Sequence, residues 1–210
     1  MMNLTTHIAE RCVALGSSTL YEASGLACSV DPDIRSLWAG ATLAAPAFPL
    51  VCSPGDNLSI HIAMERAPRG SVLVVATGNF VAGYWGEVLT VAAEAAGIVG
   101  LVIDGGVRDV AAMTRRRFPV FTRGVSVRGT IKASSPSVGQ QMLFAGVPVA
   151  VGDMVVADDD GVIIVPAAEL ERTLAAAETR ASKEAEMMAR LSQGETTMDL
   201  LGLSAWRVRA

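Results

Sequence analysis

The chain has 210 residues and 51% of them are hydrophobic, which suits one domain with a sizeable core. A formal net charge of −4 argues against a nucleic-acid-binding protein, because such proteins normally carry a basic patch. No apolar stretch reaches the length of a membrane span, and the start lacks the pattern of a secretory signal. The three cysteines lack metal-ligand spacing, so we expect free thiols in a cytoplasmic protein.

Apolar periodicity in the first seventy residues predicts three short helices, over 5–15, 17–24 and 57–67. Between the second and third of these helices, Leu37–Val51 is apolar but contains Pro46 and Pro49. Proline cannot donate a hydrogen bond to a neighbouring strand, so this segment predicts a strand with edge or bulge character.

The central part of the chain alternates valine-rich runs with helical segments. Ser71–Ala76 and Ile98–Ile103 are continuous apolar runs that predict strands buried on both faces. We expect the remaining elements of this part to be a helix at 87–96, a turn at Asp104-Gly105-Gly106, a helix at 110–117 and a strand at 119–122. This order predicts a parallel βαβαβ unit with right-handed crossovers.

The last third predicts short strands over 147–165, followed by a long helix over 167–192 that lies between Pro166 and Gly194. The acidic run Asp158–Gly161 favours a turn between strands over a metal site, because Asp and Gly suit turn backbones. We therefore expect a layered α/β protein with a single domain at 1–195 and a C-terminal arm at 196–210.

The strongest candidate site follows the two central strands. In an open parallel sheet, ligands bind beyond the carboxyl ends of the strands. Gly86 and Glu87 open a helix, and the backbone N–H groups of its first turn can hold a carboxylate. Arg108 can grip a carboxylate or an enolate, and Asp109 is a hard oxygen ligand for Mg²⁺ or Mn²⁺.

Each of these features also has a structural interpretation. Glu87 could serve only the helix dipole, and Arg108 with Asp109 could form a surface ion pair. His61 is interpreted first as a packing or surface residue of its helix. Arg123, Arg128 and Lys132 could meet a distal substrate carboxylate, although surface charge is the first interpretation of such residues.

Six stretches of the chain carry a resemblance to a known family. They are GDNLSIHIAME (55–65), GSVLVV (70–75), GEVL (86–89), GLVIDGGVRD (100–109), FPVFTRG (118–124) and GDMVVADDDGVIIVP (152–166). On these residues the chain resembles the family that joins the 4-hydroxy-4-methyl-2-oxoglutarate/4-carboxy-4-hydroxy-2-oxoadipate aldolases to the ribonuclease E regulator-like (RraA-like) proteins.

One motif distinguishes the two branches of that family. The aldolases carry an acid, twenty intervening residues and then Arg-Asp, and here Glu87 and Arg108-Asp109 have that spacing. The regulators typically show Arg-Gln and lack the acid pair. Glu87 stands where many members have the shorter aspartate. The resemblance therefore favours a metal-dependent class II pyruvate aldolase with an oxaloacetate decarboxylase side activity, and the alternative is a non-catalytic regulatory or binding protein.

The resemblance also implies roles for the site residues. Asp109 would bind Mg²⁺ or Mn²⁺ directly, and Glu87 would hold the water ligands of the metal. The N–H groups of Val88 and Leu89, beside Gly86, would take the carboxylate of a 2-oxo acid. Arg108 would stabilise the enolate that forms when the carbon–carbon bond breaks.

Similar enzymes are homotrimers or dimers of trimers with sites between subunits, and their mixed sheet curls into a barrel. A glutamate from the C-terminal helix of a neighbouring subunit completes such sites. Glu184 is the first candidate for that residue here, and Glu186 is the second. The resemblance leaves open which 2-oxo acid is the substrate, which metal is used, and whether the assembly is a trimer or a hexamer.

Overall fold

The computed structural model describes residues 4–208. Its helices are α1 Leu4–Leu15, α2 Ser17–Ser24, α3 Leu58–Arg66, α4 Glu87–Ala96, α5 Val110–Arg116, α6 Leu170–Ser192 and α7 Thr197–Leu200, with 3₁₀ turns at Ala167–Glu169 and Ser204–Val208. Its strands are β1 Arg35–Ser36, β2 Leu43–Val51, β3 Val72–Ala76, β4 Gly83–Trp85, β5 Gly100–Val107, β6 Val120–Val125, β7 Ser137–Val138, β8 Met142–Phe144, β9 Val147–Val149, β10 Met154–Asp158 and β11 Gly161–Val165.

The main sheet curls into a nearly closed barrel. Its strands follow the order β1-β6-β5-β3-β2-β10-β11, while β4 pairs with β5 and β7 pairs with β2. Strands β2, β3, β5 and β6 are mutually parallel, and β10 and β11 are antiparallel additions. The segment before β1 also bonds to β11, because the Val30 N–H donates to the Val162 carbonyl at 3.0 Å. Since β1 itself pairs with β6, residues 28–36 connect the β6 and β11 edges of the sheet.

Side chains alternate between the inside and the outside of this barrel, as a pleated strand requires. Val72 and Val74 of β3 lie in a core inside the barrel, together with Phe121 of β6. Leu73 and Val75 point outward into a second core beneath α3, α4 and α5. A third core packs α1, α2 and α6 against the outer face of β10 and β11. Burial on both faces confirms the interpretation of the valine-rich runs.

The predicted βαβαβ centre is confirmed as β3-α4-β5-α5-β6, but the turn expected at Asp104-Gly105-Gly106 is wrong. These residues continue β5, which runs to Val107. The buried Asp104 carboxylate accepts hydrogen bonds from the Thr77 backbone at 2.5 Å and from its hydroxyl at 2.8 Å. A Cβ on Gly106 would lie 2.7 Å from the Ala82 carbonyl, so the glycine permits a close approach and not a turn.

The edge or bulge character expected of the proline-containing strand is also wrong. Strand β2 lies in the sheet interior, with β10 and β7 on one side and β3 on the other. Its Pro49 carbonyl accepts the Gly139 N–H at 2.8 Å, so the Pro49 ring nitrogen faces that same side and not β3. The ladder to β3 therefore loses no donor, which explains how proline fits an interior strand.

The C-terminal part follows the predicted pattern. Asp158 and Gly161 are paired at the end of the β10–β11 hairpin, which confirms a turn there. The long helix α6 follows Pro166 and a short 3₁₀ turn. Residues 196–208 form the two short helical elements α7 and the last 3₁₀ turn, and most of them are exposed. None of the helices described within 4–208 is long and apolar enough to cross a membrane.

Candidate active site

The candidate site forms where two helices begin side by side. One residue, Gly86, lies between β4 and α4, and two residues, Arg108 and Asp109, lie between β5 and α5. Because β4 and β5 are parallel neighbours that pair Trp85 with Val107, their carboxyl ends meet at the same edge of the sheet. The fold therefore brings Gly86 and Glu87 next to Arg108 and Asp109, as the sequence predicts.

The backbone at this edge fits closely around Asp109. The Glu87 N–H donates to Asp109 Oδ2 at 3.0 Å, which ties the start of α4 to the start of α5. A Cβ on Gly86 would lie only 2.3 Å from Asp109 Oδ2, so no side chain fits at that position without displacing the carboxylate. Asp109 has φ 59° and ψ 38°, a left-handed conformation that is uncommon outside glycine and concentrates at functional sites.

Arg108 is placed by both backbone and side-chain packing. Its N–H donates to the Trp85 carbonyl at 2.8 Å. Its aliphatic stem crosses two glycines, since an added Cβ would lie 3.1 Å from its Cδ at Gly83 and 3.2 Å from its Cγ at Gly86. The residue remains exposed, so its guanidinium is accessible to an anionic ligand.

The first turn of α4 presents backbone donors beside Arg108. Gly86 is the N-cap and has no side chain that could satisfy the N–H groups of Val88 and Leu89, which helix geometry leaves without intrahelical acceptors. Trp85 Nε1 donates to Thr90 Oγ1 at 2.8 Å, and that hydroxyl donates to the Gly86 carbonyl at 3.1 Å. This buried chain of hydrogen bonds fixes the backbone from which the donors project.

A cavity of ≈ 280 Å³ opens at this point. Of the predicted site residues it is lined by Gly86, Val88, Leu89, Arg108 and Asp109. Glu87 differs, because its carboxylate faces Arg116, with 3.4 Å between Oε1 and the guanidinium Nε. The Glu87 backbone thus belongs to the site, while its side chain forms an exposed ion pair beside it.

The sequence analysis did not place Asn57, His61, Gly129 or Thr130 at the site. All four line the cavity together with Lys132, which was named as a possible contact for a distal carboxylate. His61 lies in the cavity wall and is not simply a surface or packing residue. Its Nε2 is buried without a hydrogen-bond partner. Burial and then the charge of Lys132 lower the pKa of His61. The four-residue spacing of Asn57 and His61 along a helix was the available signal, because it places both on one face.

Glu184 lies elsewhere in this chain. It is part of α6, which packs through Thr173, Leu174 and Ala177 near the third core. Its carboxylate forms an ion pair with Arg180, with 2.8 Å between Oε1 and Nε. A role at the cavity would therefore belong to the Glu184 of a neighbouring subunit.

The donor set suits a weakly caged hard cation. Within residues 4–208, no group of three or more His, Cys, Asp or Glu side chains converges in metal-binding geometry. Mg²⁺ is commonly held by one or two carboxylates, with waters and substrate oxygens completing its coordination. The exposed Asp109 carboxylate, held in a glycine cradle on the cavity, fits that arrangement.

A larger cavity of ≈ 570 Å³ lies at the other ends of the strands, next to Ser71, Val99 and Pro119. Its lining is mainly small and apolar, and Arg69 is the single charged residue among the described residues that form it. The described residues that line it include no carboxylate, so the smaller cavity remains the candidate site.

Comparison with known proteins identifies the family to which the chain belongs. A family model described as Aldolase/RraA (RraA-like) matches residues 6–164, and the chain therefore belongs to that family. It is 32% identical over 142 residues to a protein of Halalkalibacterium halodurans named "Putative 4-hydroxy-4-methyl-2-oxoglutarate aldolase", a match that covers 67% of this chain and 68% of the relative.

Two solved structures share the fold. An uncharacterized protein from Pseudomonas syringae pv. tomato superposes with a TM-score of 0.83 at 26% identity, covering 93% of this chain and 92% of that one. RraAS2 of Streptomyces coelicolor, described as an unusual member of the RNase ES inhibitor RraA family, gives a TM-score of 0.77 at 24% identity, covering 88% and 98%. The RraAS2 likeness is a likeness of fold alone.

Proposed function

We propose that this chain is a divalent-metal-dependent class II pyruvate aldolase that cleaves 4-hydroxy-2-oxo di- or tricarboxylic acids, with oxaloacetate decarboxylation as a side activity. The observation that carries the proposal is the convergence of Asp109, Arg108 and the first-turn N–H groups of α4 on one cavity. Membership of the Aldolase/RraA family and the similarity to the H. halodurans protein support the same class of reaction.

The cavity can bind the pyruvyl end of such a substrate through complementary donors. The N–H groups of Val88 and Leu89, at the positive end of a helix, suit the carboxylate next to the keto group. Arg108 lies beside them and can donate to the keto oxygen. The backbone donors of α4 are fixed before the substrate arrives, so they need no reorganisation to bind its carboxylate.

Cleavage places a negative charge where Arg108 can stabilise it. The 4-hydroxyl loses its proton, the bond between C3 and C4 breaks, and its electron pair forms the enolate of pyruvate while the second oxo acid leaves. Uptake of a proton at C3 then gives pyruvate. Oxaloacetate reaches the same enolate by losing CO₂, so one arrangement of donors serves both reactions.

Asp109 would hold the metal, and Mg²⁺ or Mn²⁺ suits its hard oxygen. When bound, such an ion polarises a keto oxygen and lowers the pKa of its water ligands. Glu87 would contact those waters after its carboxylate turns away from Arg116. The ion pair that it leaves is exposed, so breaking it costs little.

We also propose that the working form is a homotrimer or a hexamer in the cytoplasm, with Glu184 of a neighbouring subunit near the metal waters and Glu186 as the second candidate. Valine and isoleucine side chains near the cavity are exposed, with Val125 at 57%, Val127 at 93% and Ile131 at 65%. Contact with a second chain would cover such a surface. The three buried free thiols suit a reducing compartment.

The test is pyruvate release from 4-hydroxy-4-methyl-2-oxoglutarate and from oxaloacetate, followed by coupling to lactate dehydrogenase. Release that needs Mg²⁺ or Mn²⁺ and stops with EDTA supports the proposal. No release from either substrate, by folded protein that binds Mg²⁺, would contradict it and favour a non-catalytic regulatory protein.

A further inference from the structure

One wall of the cavity is an irregular segment without helix or strand of its own. Residues 126–134 follow β6 and contribute Gly129, Thr130 and Lys132 to the lining. The outer side of this segment is exposed. Its position over the cavity therefore depends on a few hydrogen bonds to the rest of the chain.

Most of these bonds involve the turn that precedes α3. The Asn57 N–H donates to the Ile131 carbonyl at 3.0 Å, and the Ile131 N–H donates to the Gly55 carbonyl at 2.9 Å. The Asp56 carboxylate then holds the next two residues, because its Oδ2 accepts the N–H groups of Ala133 at 2.8 Å and Ser134 at 2.7 Å.

Asp56 is built to act as an anchor in its ionised form. The side chain is buried, with 2% of its surface exposed. Its Oδ1 accepts the Leu58 N–H at 2.9 Å, and its Oδ2 also accepts the Ser134 hydroxyl at 3.1 Å. These donors, the Leu58 N–H first, keep the pKa of Asp56 below its ordinary value. One carboxylate therefore joins the start of α3 to both residues that follow Lys132.

Lys132 is the residue that this anchoring places. It lines the same cavity as Arg108, and its charge reaches His61, whose pKa it helps to lower. The cavity is thus lined by two cations from different parts of the chain, Arg108 beside the helix donors and Lys132 in the segment that Asp56 anchors. Two cations that line one cavity suit a ligand with two carboxylates.

We infer that Asp56 is a positioning residue that holds Lys132 over the cavity, where the ammonium selects 2-oxo acids that carry a second carboxylate. The inference rests on the proposed function, because that function places the pyruvyl end at α4. Lys132 would contact the far carboxylate, and Asp56 would act only through Lys132.

A matched pair of ligands tests the selection without turnover. 2-Oxoglutarate and 2-oxopentanoate differ by a carboxylate in place of a methyl group, and neither has the 4-hydroxyl that cleavage requires. Their Kd values are measured by calorimetry with Mg²⁺ present. Lys132→Met should raise the Kd of 2-oxoglutarate by about tenfold or more, the scale of a charged hydrogen bond. The Kd of 2-oxopentanoate should change by less than about twofold.

The Asp56 arm uses the same two ligands. Asp56→Asn loses one acceptor oxygen and should raise the Kd of 2-oxoglutarate by roughly fivefold without raising that of 2-oxopentanoate. The double variant with Lys132→Met should bind 2-oxoglutarate no more weakly than Lys132→Met alone. Ser134→Ala removes one bond from the anchor and should give a smaller loss in the same direction. It also keeps the test open if Asp56→Asn does not fold.

Two control variants separate positioning from general damage. Asp153→Asn alters a carboxylate of the same kind, which accepts the N–H groups of Ala150 at 2.8 Å and Ala167 at 3.0 Å away from the cavity. Arg128→Met removes a neighbouring cation that lies over Phe80 with its Cζ 4.8 Å from the ring centroid. Both should keep the wild-type ratio of the two Kd values.

The positioning role would be overturned if Asp56→Asn raised the Kd values of both ligands equally. It would also be overturned if the double variant bound 2-oxoglutarate more weakly than Lys132→Met alone. An unchanged Kd ratio in Lys132→Met would overturn the selection even if the wild-type protein releases pyruvate. Lys132→Met could reduce the preference for 2-oxoglutarate over 2-oxopentanoate in a protein that releases no pyruvate from any substrate. That result would uphold the selection by Lys132 and contradict the proposed reaction.

Discussion

The backbone N–H of Glu87 donates to the Asp109 carboxylate at 3.0 Å, so the starts of α4 and α5 are joined through a residue of the candidate site. This bond leaves the rest of the Asp109 carboxylate on the cavity. It also explains why Gly86 precedes Glu87, because any side chain there would occupy the space that Asp109 needs.

Gly86→Ala should therefore damage the site and the fold together. The added methyl group would lie 2.3 Å from Asp109 Oδ2, and overpacking of this kind costs roughly 1–3 kcal/mol. We expect a lower melting temperature and loss of Mg²⁺ affinity by calorimetry. The control is Gly124→Ala, whose Cβ would meet Val81 at an ordinary 3.4 Å. Wild-type Mg²⁺ affinity in Gly86→Ala would contradict the close fit.

Glu87→Gln tests whether that side chain serves the metal or only Arg116. If it holds metal waters, its loss should weaken Mg²⁺ affinity by about 10–100-fold, as for other residues outside direct coordination. Arg116→Gln removes the exposed partner and should leave Mg²⁺ affinity at the wild-type value or tighter. If Glu87→Gln and Arg116→Gln lose the same Mg²⁺ affinity, the Glu87 side chain serves only the ion pair with Arg116 and does not contact the metal waters.

The pKa of His61 should respond to Lys132. Burial and the nearby ammonium lower it, so Lys132→Met should raise the His61 pKa toward the ordinary value of about 6.5. In the wild type, stability should fall as pH drops below about 6.5, because the unfolded chain then binds a proton that folded His61 does not. His7 is the one other histidine, so an NMR titration resolves both. If the pKa of His61 is the same in Lys132→Met as in the wild type, the Lys132 ammonium does not act on His61.

Two leucines test the layers of the barrel. Leu73 of β3 is fully buried, and Leu73→Ala should lower the free energy of unfolding by about 2–5 kcal/mol. Leu143 of β8 is 70% exposed, and Leu143→Ala should change that free energy by less than about 0.5 kcal/mol. Chemical denaturation gives both values, and similar losses would contradict the assigned faces.

The sequence predicted those parts of the fold and site that depend on local pattern. Valine-rich runs identified the buried strands, and the ends of parallel strands located Gly86, Arg108 and Asp109. The convergence of α3 and the segment 126–134 on one cavity was not predictable in this way, because His61 and Lys132 are 71 positions apart and meet only through the packing around Asp56.

The errors have equally specific causes. Asp104-Gly105-Gly106 has turn composition, but its glycines allow β5 to lie close against the loop 77–82. Pro49 indicated an edge strand, although its ring nitrogen faces the side on which β3 does not bond. The orientation of the Glu87 side chain is set by Arg116 from the next helix, a relationship that spacing along the chain does not reveal.

The most direct test of the account is the rate of pyruvate release with saturating Mg²⁺ in Arg108→Met, compared with wild type and with Arg115→Met on the exposed side of α5. We expect a fall of roughly 100–1,000-fold in Arg108→Met, the scale of losing an oxyanion donor, and a wild-type rate in Arg115→Met. A folded Arg108→Met protein that releases pyruvate at the wild-type rate would contradict it.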